Sequence, residues 1–410
     1  MSANIFNDLE QVDPHTIKFC LRPVIVSYAN ALRRAIQTEV SVLGFRADMT
    51  EDGSTSDVKI FKNSTPMSNE MLADRVGLLP IVMTSDSWVK ESVLFRLKVV
   101  NTTDEVRMVT ASDFECLEKR DDAEERVRIP NTQFFHPNPV TGETCLIAVL
   151  KPMVDGQEPE EIHLEAYASL GKGREHARFN PTSQCSYAYT RDTDPVKIKA
   201  LFNTWVKEQK KVDPVDLDKD ADRKAVLERE FRSLEIYRCY LQDPDGEPYS
   251  FDFTVETIGT LPIQKIVYEA LVSLATLVEK YSNIDSGDLP ENIEIRPADA
   301  RLKGYDFWIG GEDHTLGNIL QTWLDENEVG SEISFAGYKI PHPLRDEMVL
   351  RIGVDDGQQD TARGAIARAC RSCADMFRSW AVQWNGVGGS SKIRNPWEAH
   401  ADAKGRPKNR

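Results

Sequence analysis

The sequence predicts an α+β fold in which two copies of one unit are fused in a single chain as a pseudo-dimer with four packed amphipathic helices, the first copy carrying a large inserted domain. Three observations lead there. Four segments place apolar residues at helical spacing, so each carries a stripe that must be buried. The order strand, short helix, strands, long helix occurs twice. Within it, Ala29-Asn30-Ala31-Leu32-Arg33-Arg34-Ala35-Ile36 and Gly317-Asn318-Ile319-Leu320-Gln321-Thr322-Trp323-Leu324 match as small, Asn, apolar, Leu, polar, polar, any, apolar. From Asn318 to the fourth helical segment at Thr361 is 43 residues, whereas Asn30 to Pro262 is 232, so the first copy holds about 189 more, room for an inserted domain.

Along the chain, residues 16–21 read as a strand, and Ser27 is a reasonable N-cap for a helix on which Tyr28, Leu32 and Ile36 recur every four residues. Residues 93–100 and 162–167 read as strands of the insert. Residues 207–235 hold 8 basic and 9 acidic side chains with few aromatics, the pattern of an exposed helical connector laced with ion pairs. A strand at 251–256 leads to Pro262, tolerated in a first helical turn, and to the stripe Ile263, Ile266, Val267, Ala270, Leu271, Leu274, Leu277 and Val278. The second copy offers a strand at 306–309, then a helix from about Thr315 with Leu316, Ile319, Leu320, Trp323 and Leu324. A strand at 348–354 follows, then a helix from near Thr361 with Ala362, Ile366, Ala369, Cys373, Met376, Phe377 and Trp380 on one stripe. The expected domains are residues 1–48 and 180–280 for a discontinuous first dimerisation unit and 49–179 for the insert. Residues 281–302 are expected as a linker, 303–382 as the second dimerisation unit and 383–410 as a disordered tail. From Gly386 that tail has six basic and two acidic residues among Gly, Ser and Pro.

Composition narrows the function. The 410 residues are 40% hydrophobic and 28% charged, inside the globular range, and the net charge of −16 argues against a general coating of nucleic acid. Residues 1–13 lack the basic and apolar regions of a secretion signal, and the most apolar window, 261–278, is interrupted by Lys265 and Glu269, so a soluble intracellular chain is expected. Seven cysteines scattered at 20, 116, 145, 185, 239, 370 and 373 do not form a disulfide framework.

Enzyme-like signals fail on inspection. Asp216, Asp218, Asp220 and Asp222 alternate like a calcium loop, but Ala221 and Leu227 stand where Gly and Glu are needed. Gly171-Lys172-Gly173 lacks the spacing of a phosphate loop and reads as a turn before an extended segment. Cys370 and Cys373 sit one helical turn apart with no second pair, which fits core packing. No histidine is paired at short spacing with Ser or Cys in a nucleophile motif. No catalytic, cofactor or metal residue is assigned.

Other polar residues suit recognition. Asn30, Arg33 and Arg34 put donors on an otherwise apolar helix, suited to desolvated contacts with a partner, though a solvated helix face explains them too. Asn69, Glu70, Asp74 and Arg75 share a short helix, where partner contact and a buried ion pair within the insert both stay open. Asp313, His314, Thr315 and Asn318 gather at a helix start, where capping accounts for them and partner contact is compatible. Gly317, matched to Ala29, would allow close helix approach, and Gly337 and Pro341 would fix a turn around Tyr338.

Ser27 to Ile36, the run Asn63-Ser64-Thr65-Pro66-Met67-Ser68-Asn69-Glu70-Met71-Leu72-Ala73-Asp74-Arg75-Val76-Gly77-Leu78-Leu79-Pro80-Ile81, and Gly171-Lys172-Gly173-Arg174-Glu175-His176-Ala177-Arg178 resemble the D-type subunit of archaeal and eukaryotic RNA polymerases, counterpart of the bacterial alpha subunit. Glu312-Asp313-His314-Thr315-Leu316-Gly317-Asn318, Phe335-Ala336-Gly337-Tyr338-Lys339-Ile340-Pro341-His342-Pro343 and Leu350-Arg351-Ile352 are similar to the L-type partner subunit. The resemblance covers most of residues 5–280 and 303–382. It implies alpha-subunit-like units and a non-catalytic assembly platform for the two large catalytic subunits, joined by small zinc-bearing subunits, without cofactor, membrane or direct sequence-specific DNA contact. Implied subunit-interface residues are Asn30, Arg33, Arg34, Asn69, Glu70, Arg75, Leu274, His314, Asn318, Leu320, Tyr338, His342 and Phe377. Some relatives hold zinc or an iron–sulfur cluster on four cysteines of the insert; here Cys116, Cys145 and Cys185 are too far apart to read as a ligand set, so no metal is expected. The D–L fusion resembles large cytoplasmic DNA viruses, which implies a viral transcription compartment in host cytoplasm and virion. The rival is a free-standing nucleic-acid-binding protein acting through the basic tail.

Overall fold

The computed structural model describes residues 4–48, 57–82, 87–119, 126–287, 289–299 and 302–387; of the tail expected to be disordered from 383, residues 383–387 instead end the last helix, with Trp384 buried, and the rest lies outside the described residues. Among these the architecture is α+β, with antiparallel sheets and eight α-helices: α1 Val26–Thr38, α2 Asn69–Gly77, α3 Pro195–Glu208, α4 Pro214–Leu217, α5 Ala221–Ser233, α6 Ile263–Glu279, α7 His314–Asn327 and α8 Gln359–Val387. Two compact units result. One comprises Met1–Arg34, Cys185–Val255 and Leu271–Arg410, the other Ala35–Gln184 and Glu256–Ala270. The division falls inside α1 and α6, so the second unit takes residues 35–48, 180–184 and 256–270 beyond the 49–179 expected of the insert.

The first unit is built on two four-stranded sheets of the same connectivity. One has the order Phe6–Gln11, Thr16–Leu21, Phe251–Thr257, Thr182–Tyr189; the other Ile293–Pro297, Gly304–Gly310, Glu347–Gly353, Phe335–Lys339. In each, a hairpin leads into the short helix, and the third strand in the order leads into the long one. α1 and α7 also begin at matched positions, Val26 and His314, 288 residues apart as are Ala29 and Gly317. Ser27 is thus inside α1 rather than its cap.

The linker expected at 281–302 needs correction. Its residues 293–297 are the outer strand of the second sheet, paired with Gly304–Gly310 in register Ile293↔Ile309 to Pro297↔Tyr305. Ile293 is buried, whereas Glu294 and Arg296 face solvent and pair with each other, the charged dressing of an edge strand. Inside that sheet, Arg351 lies opposite Asp306 and donates to both its oxygens at 2.6 and 2.7 Å.

Aromatic packing joins α8 to the first copy. Trp384 meets Phe6 and Phe19 edge-on at 5.0 and 5.1 Å, and Phe377 and Trp380 meet Tyr28 of α1. Arg378 of α8 pairs with Glu279 of α6, and Arg371 donates to the Ser282 carbonyl at 2.7 Å.

The charged connector also differs from expectation. α3, α4 and α5 close around Phe202, Trp205, Val206, Leu217, Leu227 and Phe231, so it is a small helical module with its own core. Asp216 and Asp218, read against a calcium loop, pair with Lys219 and Lys224.

In the second unit, a five-stranded sheet orders Val58–Asn63, Glu161–Ala166, Val93–Val100, Phe114–Glu118 and Val127–Ile129 over a core that includes Phe45, Phe95, Phe114 and Phe134. Ser41–Gly44 pairs with Ser169–Lys172, and the Phe179 ring lies so close to both that a Cβ at Gly44 or Gly171 would stand 2.7 or 2.6 Å from it. Arg178, 4% exposed, donates to the Phe45 carbonyl at 2.9 Å. The glycine-rich run 171–173, expected as a turn before an extended segment, is instead mostly strand: Gly171 and Lys172 end the paired strand, the turn comes at 173–175 and a short helical turn at Ala177–Phe179 follows, with Lys172 and Arg174 both on Glu39.

Candidate functional site

The polar residues singled out on α1 and α7 come together in the first unit. Asp313 caps α7 by accepting from the Thr315 amide through Oδ1 at 2.7 Å. Its Oδ2 accepts from Arg34 Nη2 at 3.0 Å, and Arg34 Nε donates to Thr315 Oγ1 at 2.9 Å. One carboxylate therefore fixes both a helix start and an arginine 279 residues away in sequence. On the other side, Thr322 Oγ1 donates to Ser27 Oγ at 2.8 Å. These two contacts are reciprocal: Ser27 is the counterpart of Thr315, and Arg34 of Thr322, so position i meets j and j meets i. That reciprocity is the signature of an isologous two-fold interface. Sequence inspection missed it, although the matched octapeptides carried the signal, since matched positions on two like helices that face each other meet in such pairs.

Arg34 is thus engaged within the chain rather than displayed for a partner. Arg33 takes a different course. Its Nε donates to Asn30 Oδ1 at 3.0 Å, and it lines an open cleft of about 470 Å³ with Cys185, Ser186, Tyr187 and Tyr189.

Tyr338 rests on α7. Its ring covers Gly317, where a Cβ would stand 2.3 Å away, its amide donates to Gln321 Oε1, and its hydroxyl lies 3.2 Å from His314 Nδ1. Gly317 accordingly makes room for an aromatic ring. Gly337 lies within the strand Phe335–Lys339 instead of at a turn. Burial holds the Tyr338 hydroxyl above its ordinary pKa, so it is a neutral donor or acceptor. A cleft of about 620 Å³ opens beside it, lined among others by Arg34, Asp313, His314, Ile340 and Leu344, the last 88% exposed. His342 is exposed and accepts from the Leu344 amide, and Asn318 is half-buried on α7. Leu274, Leu320 and Phe377 are fully buried within the chain.

Asn69, Glu70 and Arg75 lie exposed on α2 in the second unit. Ser68 caps that helix by accepting from the Met71 amide, and Asn63 donates to Asn69. Arg75 donates to the carbonyls of Ile147 and Leu146 at 2.6 and 3.0 Å, so its bonds are to backbone rather than in a buried ion pair. Around it Met71, Leu78 and Leu146 are exposed apolar side chains.

No group of three or more His, Cys, Asp or Glu among the described residues is placed to hold a metal ion. Cys116, Cys185 and Cys373 are pushed up to about 12 by burial, which keeps them as unreactive thiols, and burial raises Cys370 further. Among the described residues no helix is long and apolar enough to cross a membrane.

Residues 305–381 match the RNA polymerase Rpb3/Rpb11 dimerisation domain. Over 275 residues, 65% of this chain and 91% of the relative, the sequence is 25% identical to the DNA-directed RNA polymerase subunit Rpo3 of Pyrococcus furiosus. It is 23% identical over 270 residues to the Rpo3 subunit of Natronomonas pharaonis, covering 65% of this chain and 92% of that one. To the Rpo3 subunit of Methanosphaera stadtmanae it is 28% identical over 182 residues, 44% of this chain and 60% of the other.

Proposed function

We propose that this chain is a non-catalytic assembly-platform subunit of a DNA-directed RNA polymerase, in which a D-like and an L-like half pair within one polypeptide and dock the two large catalytic subunits. The observation that carries this reading is the reciprocal contact of Ser27 with Thr322 and Arg34 with Thr315. Two equivalent helices meet as the subunits of a dimer do, and the second copy is the part that matches the dimerisation domain. Similarity to Rpo3 subunits along most of their length supports the polymerase assignment. Fusion makes the pairing intramolecular, at an effective concentration on the order of millimolar, so the halves are always present one to one.

Arg33 with its cleft, the exposed set Asn69, Glu70 and Arg75, and the cleft beside His314, Tyr338 and His342 are the surfaces assigned to other subunits, small zinc-bearing ones included. Leu274, Leu320 and Phe377 serve the internal pair. The fused arrangement, by its resemblance to large cytoplasmic DNA viruses, extends the reading to a virus-encoded polymerase in host cytoplasm and virion.

Affinity purification of the tagged full chain from the cells that produce it tests the proposal. Both large polymerase subunits should be recovered at one per chain. Recovery of the chain alone, together with DNA binding that falls steeply with salt, would establish the nucleic-acid-binding rival instead.

A further inference from the structure

The two reciprocal contacts are not equal. Thr322 to Ser27 joins two neutral hydroxyls, whereas Arg34 to Asp313 and Thr315 carries a full ion pair, and both charged groups remain about one-third exposed. In register, the counterpart of Asp313 is Ile25, and the counterpart of Arg34 is Thr322. This decides what each half would meet in a pair with its own kind. Two first halves, taken from two chains, would set Arg34 of each against Ile25 and Ser27 of the other, with no carboxylate in place. Two second halves would set Asp313 of each against Thr322, with no cation. The ion pair forms only when a first half meets a second half.

We propose that Arg34 and Asp313 form a pairing code that directs the first half to the second and disfavours like-with-like association between chains. The inference rests on the fused-pair reading above. The aromatic contacts of α8 with Tyr28, Phe6 and Phe19 give the pairing its apolar area, but apolar surface is non-directional and does not by itself distinguish two similar halves. A charge that finds its complement in one arrangement and none in the alternatives supplies that discrimination. The geometry favours such discrimination, because Asp313 is held still by capping α7 through its other oxygen and Arg34 therefore meets a fixed acceptor.

The test uses the full chain carrying either of two tags, co-expressed, with capture on one tag and quantification of the other. Light scattering on the same samples reads mass against the 46.3 kDa of a single chain. Wild type is expected at single-chain mass with little cross-capture. Arg34→Asp and Asp313→Arg each set like charges against each other and should raise cross-capture about tenfold, while the exchange R34D/D313R should return it to the wild-type level. Arg34→Gln, which keeps much of the side chain's bulk, should raise it less and in the same direction, and remains informative if a reversal prevents folding. Folded variants that stay as monomeric as wild type, or an exchange that fails to restore single-chain mass, would overturn the code. Because this assay uses the chain alone, failure of the polymerase reading would appear separately, as absence of the large subunits from wild-type purifications while cross-capture still responds to charge.

Discussion

Gly317→Ala isolates what the bare backbone of α7 is for. In an open helix interior this change should stabilise by about 1 kcal/mol, because glycine loses more backbone entropy than alanine. Here the added Cβ would stand 2.3, 2.7 and 2.8 Å from Cδ2, Cγ and Cε2 of Tyr338. Carbon atoms prefer roughly 3.5–4.0 Å, so the ring must recede by more than about 1 Å. It is not free to do so cheaply, since its hydroxyl is on His314 and its amide on Gln321. Overpacking of this kind costs about 1–3 kcal/mol, leaving a net destabilisation between about 0 and 2 kcal/mol. At about 2–4 °C per kcal/mol for a unit of this size, the midpoint should fall by up to about 8 °C. In a Tyr338→Ala background the obstacle is gone, and the same Gly317→Ala change should stabilise by about 1 kcal/mol. Urea unfolding of the four proteins in this cycle measures both values. If Gly317→Ala shifts stability in the same direction with and without the ring, steric contact with Tyr338 is not why glycine stands there.

Leu320→Asp and Leu274→Asp each place a carboxylate at a fully buried position, at a cost of several kcal/mol, and should abolish the cooperative melt seen by circular dichroism; a retained native-like melt would refute the role proposed for them in an internal pair. Arg351→Met leaves Asp306, 8% exposed, without its two-pronged partner and should cost about 3–5 kcal/mol, most of it regained in R351M/D306L, as urea unfolding of the two variants will read. Arg46 donates to both oxygens of Glu175 and holds that carboxyl below its usual 4.5. A lowered pKa gives stability that is present above 4.5 and lost as pH falls through the folded value, so Glu175→Gln should be less stable than wild type at pH 7 and converge with it in acid, as denaturation at stepped pH will show.

The sequence carried the periodic features well. The apolar stripes located α1, α6, α7 and α8, and the matched octapeptides set the register of α1 against α7, because burial forces a 3.6-residue period that survives divergence. The strand Ile293–Pro297 was hidden because it is an edge, with charged residues facing water and a single buried isoleucine. The helical module was read as solvated because its few core residues, such as Leu227 and Phe231 four apart, sit in a run of charge. Arg34 could be recognised as a donor, but its acceptor lies 279 residues away, and no local pattern encodes such a neighbour. Capping by Asp313, which depends on adjacent residues alone, was legible.

The 295 residues between Ser27 and Thr322 also set a schedule for synthesis. A ribosome adding about 5–20 residues per second would need roughly 15–60 s to reach Thr322 after Ser27. Throughout that interval Tyr28, which ends against Phe377 and Trp380, has no α8 to cover it. The second half, 95 residues from Ile293 to Val387, completes its own sheet and helices in roughly 5–20 s. In the proposed fused pair the ratio of the halves is fixed but an order is imposed: the first half must wait, apolar stripe uncovered, for a partner still being translated. Chaperone engagement of the nascent chain should therefore begin after α1 emerges and end as α8 clears the ribosome.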